Sequence, residues 1–304
     1  MLKNCLYSIR QHTDSKRIKV IVVDNSSHDG SREMVESLFP EVVLINSGGN
    51  LGFAKANNIG IAHADTPFVS FLNPDTIVME NSIHTMINFM ETNPSVGGLG
   101  CKMMFDDGNT QPLGLQWFPS PLTELFSILF LSDRTPQKIN EYLPYHDPER
   151  SGYVLKLYGG FLMVRKEVLD TVGYFDERFF MYGEDVDLSR RITDGGWKLY
   201  YLAGVKIIHL CGGASSSSSS NFATLMKCES ISKLMEKYYG KAGRFFYKFV
   251  IFTGSQLRLF LLGILYTVSH FRHDANKRRY RDSLSKHLAM FKWSLNLQEP
   301  TIKN

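Results

Sequence analysis

Two spacings of apolar residues alternate along the first two-thirds of the chain. Leu2, Leu6 and Ile9 recur at the interval of a helix face. Ile18–Val23 and Val42–Ile45 are short apolar runs, which predicts strands. Between them Met34, Val35 and Leu38 lie on one face of a helix that Ser31 can cap. A helix is predicted over Ala54 to Ala62, a strand over Pro67 to Leu72, and a helix through Ile83, Met86, Ile87 and Met90. Leu155 to Val164 predicts a strand, a helix follows Glu184, and Lys198–Leu202 and Val205–His209 read as two short strands. This alternation predicts an α/β fold, a Rossmann-like, mostly parallel sheet flanked by helices. Such sheets bind ligands beyond the C-terminal ends of strands, where Asp24 and Asp75 fall.

The pattern then changes. Phe105 to Ser151 is irregular and rich in Pro and aromatics, either a lid or acceptor-facing segment or a plain surface excursion. Ser215–Ser220 reads as a flexible connector. Beyond it Phe222 to Tyr239 is helical, and Phe245 to Phe271 is strongly apolar but interrupted by Lys248, Gln256 and Arg258. A spanning helix needs about 20 mostly apolar residues. The interruptions favour an amphipathic helix lying in the membrane plane. Arg272, Lys277, Arg278, Arg279, Arg281 and Lys286 follow, a cluster that attracts anionic headgroups. The alternative is an ordinary buried helix followed by a solvated basic one. The expected organisation is an α/β domain over 1–213, a connector over 214–220 and a helical, membrane-associated extension over 221–304.

Composition narrows the picture only a little. With 43% hydrophobic and 21% charged residues in 304, the chain is globular. A net charge of +4 is too small to imply nucleic-acid binding. The four cysteines show no CxxC spacing, so a reduced cytoplasmic setting is expected rather than a disulfide framework or structural zinc. No signal peptide is expected, because Met1 to Arg10 has no sufficient apolar core.

Two acidic stretches carry the candidate chemistry. In Asn73-Pro74-Asp75 the proline fixes a turn, so that Asn73 and Asp75 both face one site, and Asp75 is a candidate ligand for Mg²⁺ or Mn²⁺ bridging two phosphates. An Asx-type turn is the plainer explanation. A little over a hundred residues on, Tyr182-Gly183-Glu184-Asp185-Val186-Asp187 opens a helix. Acidic residues there offset the macrodipole, but three carboxylates in four positions exceed what capping requires. Asp185 is the candidate base for an acceptor hydroxyl, with Glu184 and Asp187 positioning acceptor or backbone groups. Arg190 and Arg191 either pair with Asp187 or reach a diphosphate. Asp24, followed by Asn25 and Ser26, ends a strand where it can accept hydrogen bonds from a pyrimidine base, or simply cap a turn. Gly48 to Asn58, with Asn50, Gly52 and Asn57, lets a phosphate or ribose approach backbone N–H groups, or is an ordinary glycine-rich turn into a helix. His209 ends an apolar strand before a glycine turn and is either a structural histidine or a metal ligand.

Taken in order, Val-Asp-Asn-Ser-Ser at 23–27, Asn-Leu-Gly-Phe-Ala at 50–54, Leu-Asn-Pro-Asp at 72–75, Gly-Gly-Phe-Leu-Met-Val-Arg at 159–165 and Gly-Tyr-Phe-Asp-Glu-Arg-Phe-Phe-Met-Tyr-Gly-Glu-Asp-Val-Asp-Leu at 173–188 resemble glycosyltransferase family 2. The match covers about residues 2 to 213 and is nearest to the family's bacterial rhamnosyltransferase branch. The resemblance implies a GT-A fold with a C-terminal helical extension, and inverting transfer from a nucleotide sugar, dTDP-rhamnose or a UDP-sugar. It implies that Asp24, Asn25, Ser26, Asn50, Gly52, Asn57, Asn73 and Arg191 serve the donor, and Asp75 and His209 the metal. Asp185, with Glu184, is then the catalytic pair, and Gly159, Gly160, Phe161, Tyr182 and Asp187 line the acceptor side. Asn73 stands where the family's Asp-x-Asp motif has its first Asp. The acceptor implied is a saccharide or polyprenyl-linked saccharide at the inner face of the cytoplasmic membrane. One departure is that the family's first apolar strand, ahead of the helix at Leu2 to Gln11, has no match. A start upstream or a truncated copy is therefore expected, and a non-catalytic nucleotide-sugar-binding or assembly protein is the alternative function. A nucleotidyltransferase is disfavoured, since the N-terminal loop is not glycine-rich with a basic residue.

Overall fold

The structure is a computed structural model that describes residues 1–14, 16–112, 116–129, 146–210, 221–271 and 277–301. In chain order its elements are α1 (Leu2–His12), β1 (Ile21–Asp24), α2 (Ser31–Leu38), β2 (Val43–Asn46), α3 (Phe53–Ala62), β3 (Phe68–Leu72), β4 (Thr76–Val78), α4 (Ser82–Thr92), β5 (Val96–Met104), α5 (Pro121–Leu129), β6 (Gly152–Val154), β7 (Phe161–Arg165), α6 (Lys166–Val172), α7 (Glu184–Asp194), β8 (Lys198–His209), α8 (Phe222–Phe271) and α9 (Lys277–Ser294). The described residues fall into two compact units, 1–118 with 146–210, and 119–129 with 221–301.

In the first unit β3, β7, β5, β8 and β4 lie side by side in that order, and β6 pairs with β8. β7 explains why the layer is stable. Its side chains alternate between two cores, Phe161 and Met163 joining Met86, Met90, Leu99 and Ile207, while Leu162 and Val164 join Phe71, Leu188 and Ile192. Both faces of the strand are buried, which is why it reads as an unbroken apolar run. The pairing is mixed rather than mostly parallel. β5–β8 and β1–β2 are parallel, whereas β7 runs antiparallel to both its neighbours and β4 and β6 run antiparallel to β8. β4 leaves the Asn73–Asp75 turn directly and returns along the end of β8, which forces that direction.

β1 and β2 form a separate parallel pair, in register from Ile21↔Val43 to Asp24↔Asn46. Their apolar side chains, with Leu6, Val35 and Phe39, make a small core of their own. Among the described residues β1 pairs only with β2, and all four of its residues are half-buried.

Two strands differ from expectation. The two short strands over 198–209 are one, because the register against β5 shifts between Cys101 and Lys102 and absorbs the Gly204 region as an irregularity. The strand expected over Leu155 to Val164 begins only at Phe161. Before it, the backbone N–H groups of Lys156 and Leu157 donate to Gln116 Oε1 and Ser189 Oγ, so side chains take the place of a ladder partner.

The second unit is helical. Its core joins Leu225, Cys228, Met235, Tyr247, Ile251, Ala289 and Trp293. α8 is two helices merged across Gly240, whose φ of 68° lies in the left-handed region. Phe245, Phe249, Leu257, Phe260 and Leu261 are exposed. One helix among the described residues, Phe222–Val268, is long and apolar enough to cross a membrane. Pro121–Leu129 is helical, which the Pro-rich pattern did not predict. The expected connector Ser215–Ser220 and the basic Arg272 lie outside the described residues.

Candidate active site at the strand ends

The Asn73–Asp75 turn and the end of β8 are held together by backbone. Thr76 is the register partner of His209, and the Leu210 N–H donates to the Asp75 carbonyl at 2.9 Å. Asp75 Oδ1 lies 3.4 Å from His209 Nε2, and Asn73 Nδ2 lies 3.3 Å from the same nitrogen. Asp75 and His209 are largely buried at this point. A hard carboxylate oxygen beside a borderline imidazole nitrogen fits a divalent cation such as Mn²⁺ or Mg²⁺. Among the described residues no third His, Cys, Asp or Glu joins them. A cation there would take its other ligands from water or from a bound diphosphate.

The acidic helix start is built differently. Tyr182 has φ 66°, and Ser26 in the predicted donor turn has φ 70°. Two of the four non-glycine residues with left-handed backbone among the described ones are thus predicted site residues. Such a conformation costs on the order of 1–3 kcal/mol and persists where surroundings enforce it. Asp185 Oδ2 accepts the Gly159 N–H at 3.1 Å, and its Oδ1 accepts the Val186 N–H at 2.8 Å. Burial raises the Asp185 pKa, against the opposing pull of those N–H groups and of Lys156. Burial also raises the Glu184 pKa, and the charge of Asp185 adds to it. Glu184 Oε2 is buried without a hydrogen-bond partner. A carboxylate lifted toward neutrality is suited to taking a proton from a hydroxyl.

Gly159 and Gly160 connect the two clusters. A Cβ at Gly159 would lie 3.8 Å from Asp185 Cβ and 3.6 Å from Phe53 Cζ. At Gly160 it would lie 3.6 Å from His209 Cε1 and strike Met103 Sδ at 2.6 Å. The Gly160 carbonyl accepts the Asn73 N–H at 3.1 Å. Consecutive Cα atoms are about 3.8 Å apart, so Asp185 and the His209 ring lie against successive residues of one dipeptide and within roughly 14 Å of each other.

At the loops predicted to hold the donor, side chains brace one loop against the other. Asn25 Oδ1 accepts the Leu51 N–H at 2.8 Å, while its Nδ2 faces Asn50 Oδ1 at 3.3 Å and the Gly52 carbonyl at 3.4 Å. Asp24 Oδ1 accepts the Ser27 N–H at 2.9 Å, and Asn57 Nδ2 donates to the Phe53 carbonyl. The Phe53 N–H donates to the Phe180 carbonyl at 2.7 Å, tying this loop to the one that leads into Glu184. Gly52 is therefore a packing glycine.

Three predicted site residues are turned elsewhere. Arg191 donates to Asp187 Oδ2 and to the carbonyls of Val172, Gly173 and Tyr174, all between 2.7 and 2.8 Å, so its guanidinium is engaged in the fold rather than aimed at a diphosphate. Asp187 is fully buried against it, because the i,i+4 spacing on α7 brings the two together. Phe161 points into the core. One functional neighbour went unnoticed in the sequence. Gln111 Oε1 accepts from His209 Nδ1 at 3.1 Å, and its Nε2 donates to the His209 carbonyl at 2.6 Å. The Asp-Gly turn at 107–108 is the signal that a hairpin brings this residue back along β5.

The mixed sheet with its flanking helices has the GT-A fold, the class to which solved glycosyltransferases of similar structure belong. The solved mannosyltransferase PcManGT from Pyrobaculum calidifontis, in complex with GDP-Man and Mn²⁺, matches with a TM-score of 0.57 at 14% identity, covering 97% of this chain and 82% of that one. GalNAc-T7 with UDP, GalNAc and Mn²⁺ matches with a TM-score of 0.56 at 16% identity, and this chain spans 47% of its length. The chain belongs to glycosyl transferase family 2, whose sequence profile matches residues 1–173. It is 31% identical over 223 residues to the N-acetylglucosaminyl-diphospho-decaprenol L-rhamnosyltransferase of Mycobacterium tuberculosis, covering 68% of this chain and 71% of that protein. It is 28% identical over 205 residues to the rhamnosyltransferase WbbL of Escherichia coli, covering 65% and 75%.

Proposed function

We propose that this glycosyltransferase moves a sugar, rhamnose from dTDP-rhamnose in the first instance, onto a polyprenyl-linked saccharide by a metal-assisted inverting displacement. The observation that carries the proposal is the Gly159–Gly160 turn, with Asp185 on one side and the His209–Asp75 pair on the other. A cation held by Asp75 and His209 would neutralise charge on the departing diphosphate. Asp185 accepts the proton of an acceptor hydroxyl as that oxygen attacks the anomeric carbon from the face opposite the nucleotide. One displacement without a covalent intermediate inverts the centre. Asp24 and the 48–57 loop hold the donor, with Asn25 and Asn50 keeping the loop in shape.

The names of the relatives support rhamnose and a prenyl-diphosphate acceptor. The exposed apolar face of the second unit, with Arg258 within it and Arg278, Arg279 and Arg281 on α9, supports peripheral contact with the inner face of the cytoplasmic membrane. The test is transfer of radiolabelled rhamnose from dTDP-rhamnose to polyprenyl-diphospho-N-acetylglucosamine, with Mn²⁺ and with EDTA. Label in the lipid fraction that vanishes with EDTA is expected, and UDP-glucose, UDP-galactose and UDP-N-acetylglucosamine are the competing donors. The divided sheet favours a second reading, nucleotide-sugar binding without turnover. Calorimetric binding of dTDP or UDP with Mn²⁺ but no transfer to any acceptor would establish it.

A further inference from the structure

We propose that Gln111 is a positioning residue that locks His209 in its Nδ1–H tautomer and so presents the Nε2 lone pair to a divalent cation beside Asp75. The inference rests on the metal reading above and deepens it. β5 ends in a tight hairpin, in which the Phe105 N–H donates to the Asn109 carbonyl at 2.8 Å and Met104 bridges Thr110. The Gln111 N–H then donates to the Met103 carbonyl at 2.8 Å, which fixes its backbone next to the end of β8. Its side-chain amide has two carbonyls to satisfy. Nε2 donates to the His209 carbonyl at 2.6 Å and approaches the Met104 carbonyl at 3.4 Å. With the NH₂ group committed to these acceptors, Oε1 is the atom that faces His209 Nδ1, at 3.1 Å. A carbonyl oxygen can only accept, so Nδ1 carries the proton.

The other ring nitrogen follows from that assignment. In the neutral imidazole Nε2 is then an acceptor, 3.3 Å from Asn73 Nδ2 and 3.4 Å from Asp75 Oδ1. In that form the Nε2 lone pair faces the Asp75 carboxylate, and a cation taken up there would replace the Asn73 contact. Gln111 thus holds the imidazole by its backbone carbonyl and its ring nitrogen at once. Partners of this kind behind a ligating histidine are worth about 10- to 100-fold in metal affinity.

Two readouts on the full chain test this. Nitrogen-15 NMR of the metal-free protein reports the His209 tautomer, and titration with MnCl₂ followed by electron paramagnetic resonance reports affinity. The wild type is expected to show Nδ1–H. Gln111→Met, which keeps the bulk and removes the acceptor, is expected to lose that preference and to bind Mn²⁺ about 10- to 100-fold more weakly. Gln111→Glu keeps an acceptor facing Nδ1 and is expected to retain the tautomer. An Nε2–H tautomer in the wild type refutes the assignment without any variant. Equal Mn²⁺ affinity in wild type and Gln111→Met refutes it too, as does equal loss of the tautomer in the Met and Glu variants, which would reduce Gln111 to packing. If the wild type holds Nδ1–H but binds no Mn²⁺, the metal reading of the site fails and the proposal falls with it, while an Nε2–H result with Mn²⁺ bound sinks the proposal alone.

Discussion

Gly52→Ala probes the joint between the donor loop and the loop that delivers Glu184 and Asp185. The new methyl would sit 2.4 Å from the Phe180 carbonyl oxygen and 2.7 Å from its ring. The backbone carbonyl cannot swing aside, because it accepts the Phe53 N–H at 2.7 Å. Forcing atoms into a packed site costs about 1–3 kcal/mol. The φ of 82° with ψ 175° lies in a region essentially reserved for glycine, which costs on the order of 1–3 kcal/mol for a residue with a Cβ. Reduced freedom of the unfolded chain offsets about 0.4–1 kcal/mol. Gly48→Ala is the control, since Gly48 has φ 81° but nothing within 4 Å of its added Cβ. The positive φ and the unfolded-state entropy are then common to both, and the collision adds about 1–3 kcal/mol to the cost of the Gly52 variant. Native-state hydrogen exchange at the core amides of Leu162 and Val164 reads this for the first unit alone. A shift of about 1 Å in the loop before Asp185 also costs about 100-fold in turnover. Equal stability of the two variants would refute the packed joint.

Arg191→Ala leaves the Asp187 carboxylate buried without its cation, so it should lose about 3–5 kcal/mol in urea unfolding; parent-like stability together with weakened donor binding would restore Arg191 to the diphosphate. Glu184 has its pKa raised to about 8 in the folded state, so the fold binds more protons than the unfolded chain between about pH 4.5 and 8 and loses stability as pH rises through that window, by at most about 1.4 kcal/mol per pH unit. Glu184→Gln should therefore flatten the stability–pH curve and gain relative to the parent at alkaline pH, and an unchanged slope would exclude the raised pKa. Phe245 and Phe260 are 75% and 67% exposed, so replacing both by Ser should leave the melting temperature in place. Each Phe is worth about 1.5–3 kcal/mol on burial. The double variant should therefore bind anionic phosphatidylglycerol vesicles at least about tenfold more weakly in sedimentation, and undiminished binding would remove these side chains from the membrane face.

Much of the first unit was legible because its signals are local. The apolar run of β7 and the helical spacing of Met86 and Met90 follow from burial alone, and both sit in the core. The acidic stretch at 184–187 was legible because three carboxylates in four positions repel one another and are therefore conspicuous. Pairing direction was not, since β7 and β4 owe their antiparallel course to which strand end each connection leaves from. Asp187 and Arg191 look like site residues in a linear reading, yet the pair satisfies three backbone carbonyls around Gly173 that only the folded chain brings near. Gln111 was invisible for the opposite reason. A neutral side chain in an irregular segment carries no pattern, and its role exists only because a hairpin returns it to His209 across 98 positions of sequence.

In the proposed displacement Asp185 takes the acceptor's proton, and the donor is held from the other side of the Gly159–Gly160 turn. Asp185→Asn keeps the shape and removes the base, so it separates the two sides. Rhamnosyl transfer should fall by about 10²- to 10⁴-fold, while calorimetric affinity for the nucleotide with Mn²⁺ stays at the parent's value. Transfer at the parent's rate would contradict the claim, and so would loss of nucleotide binding in step with transfer.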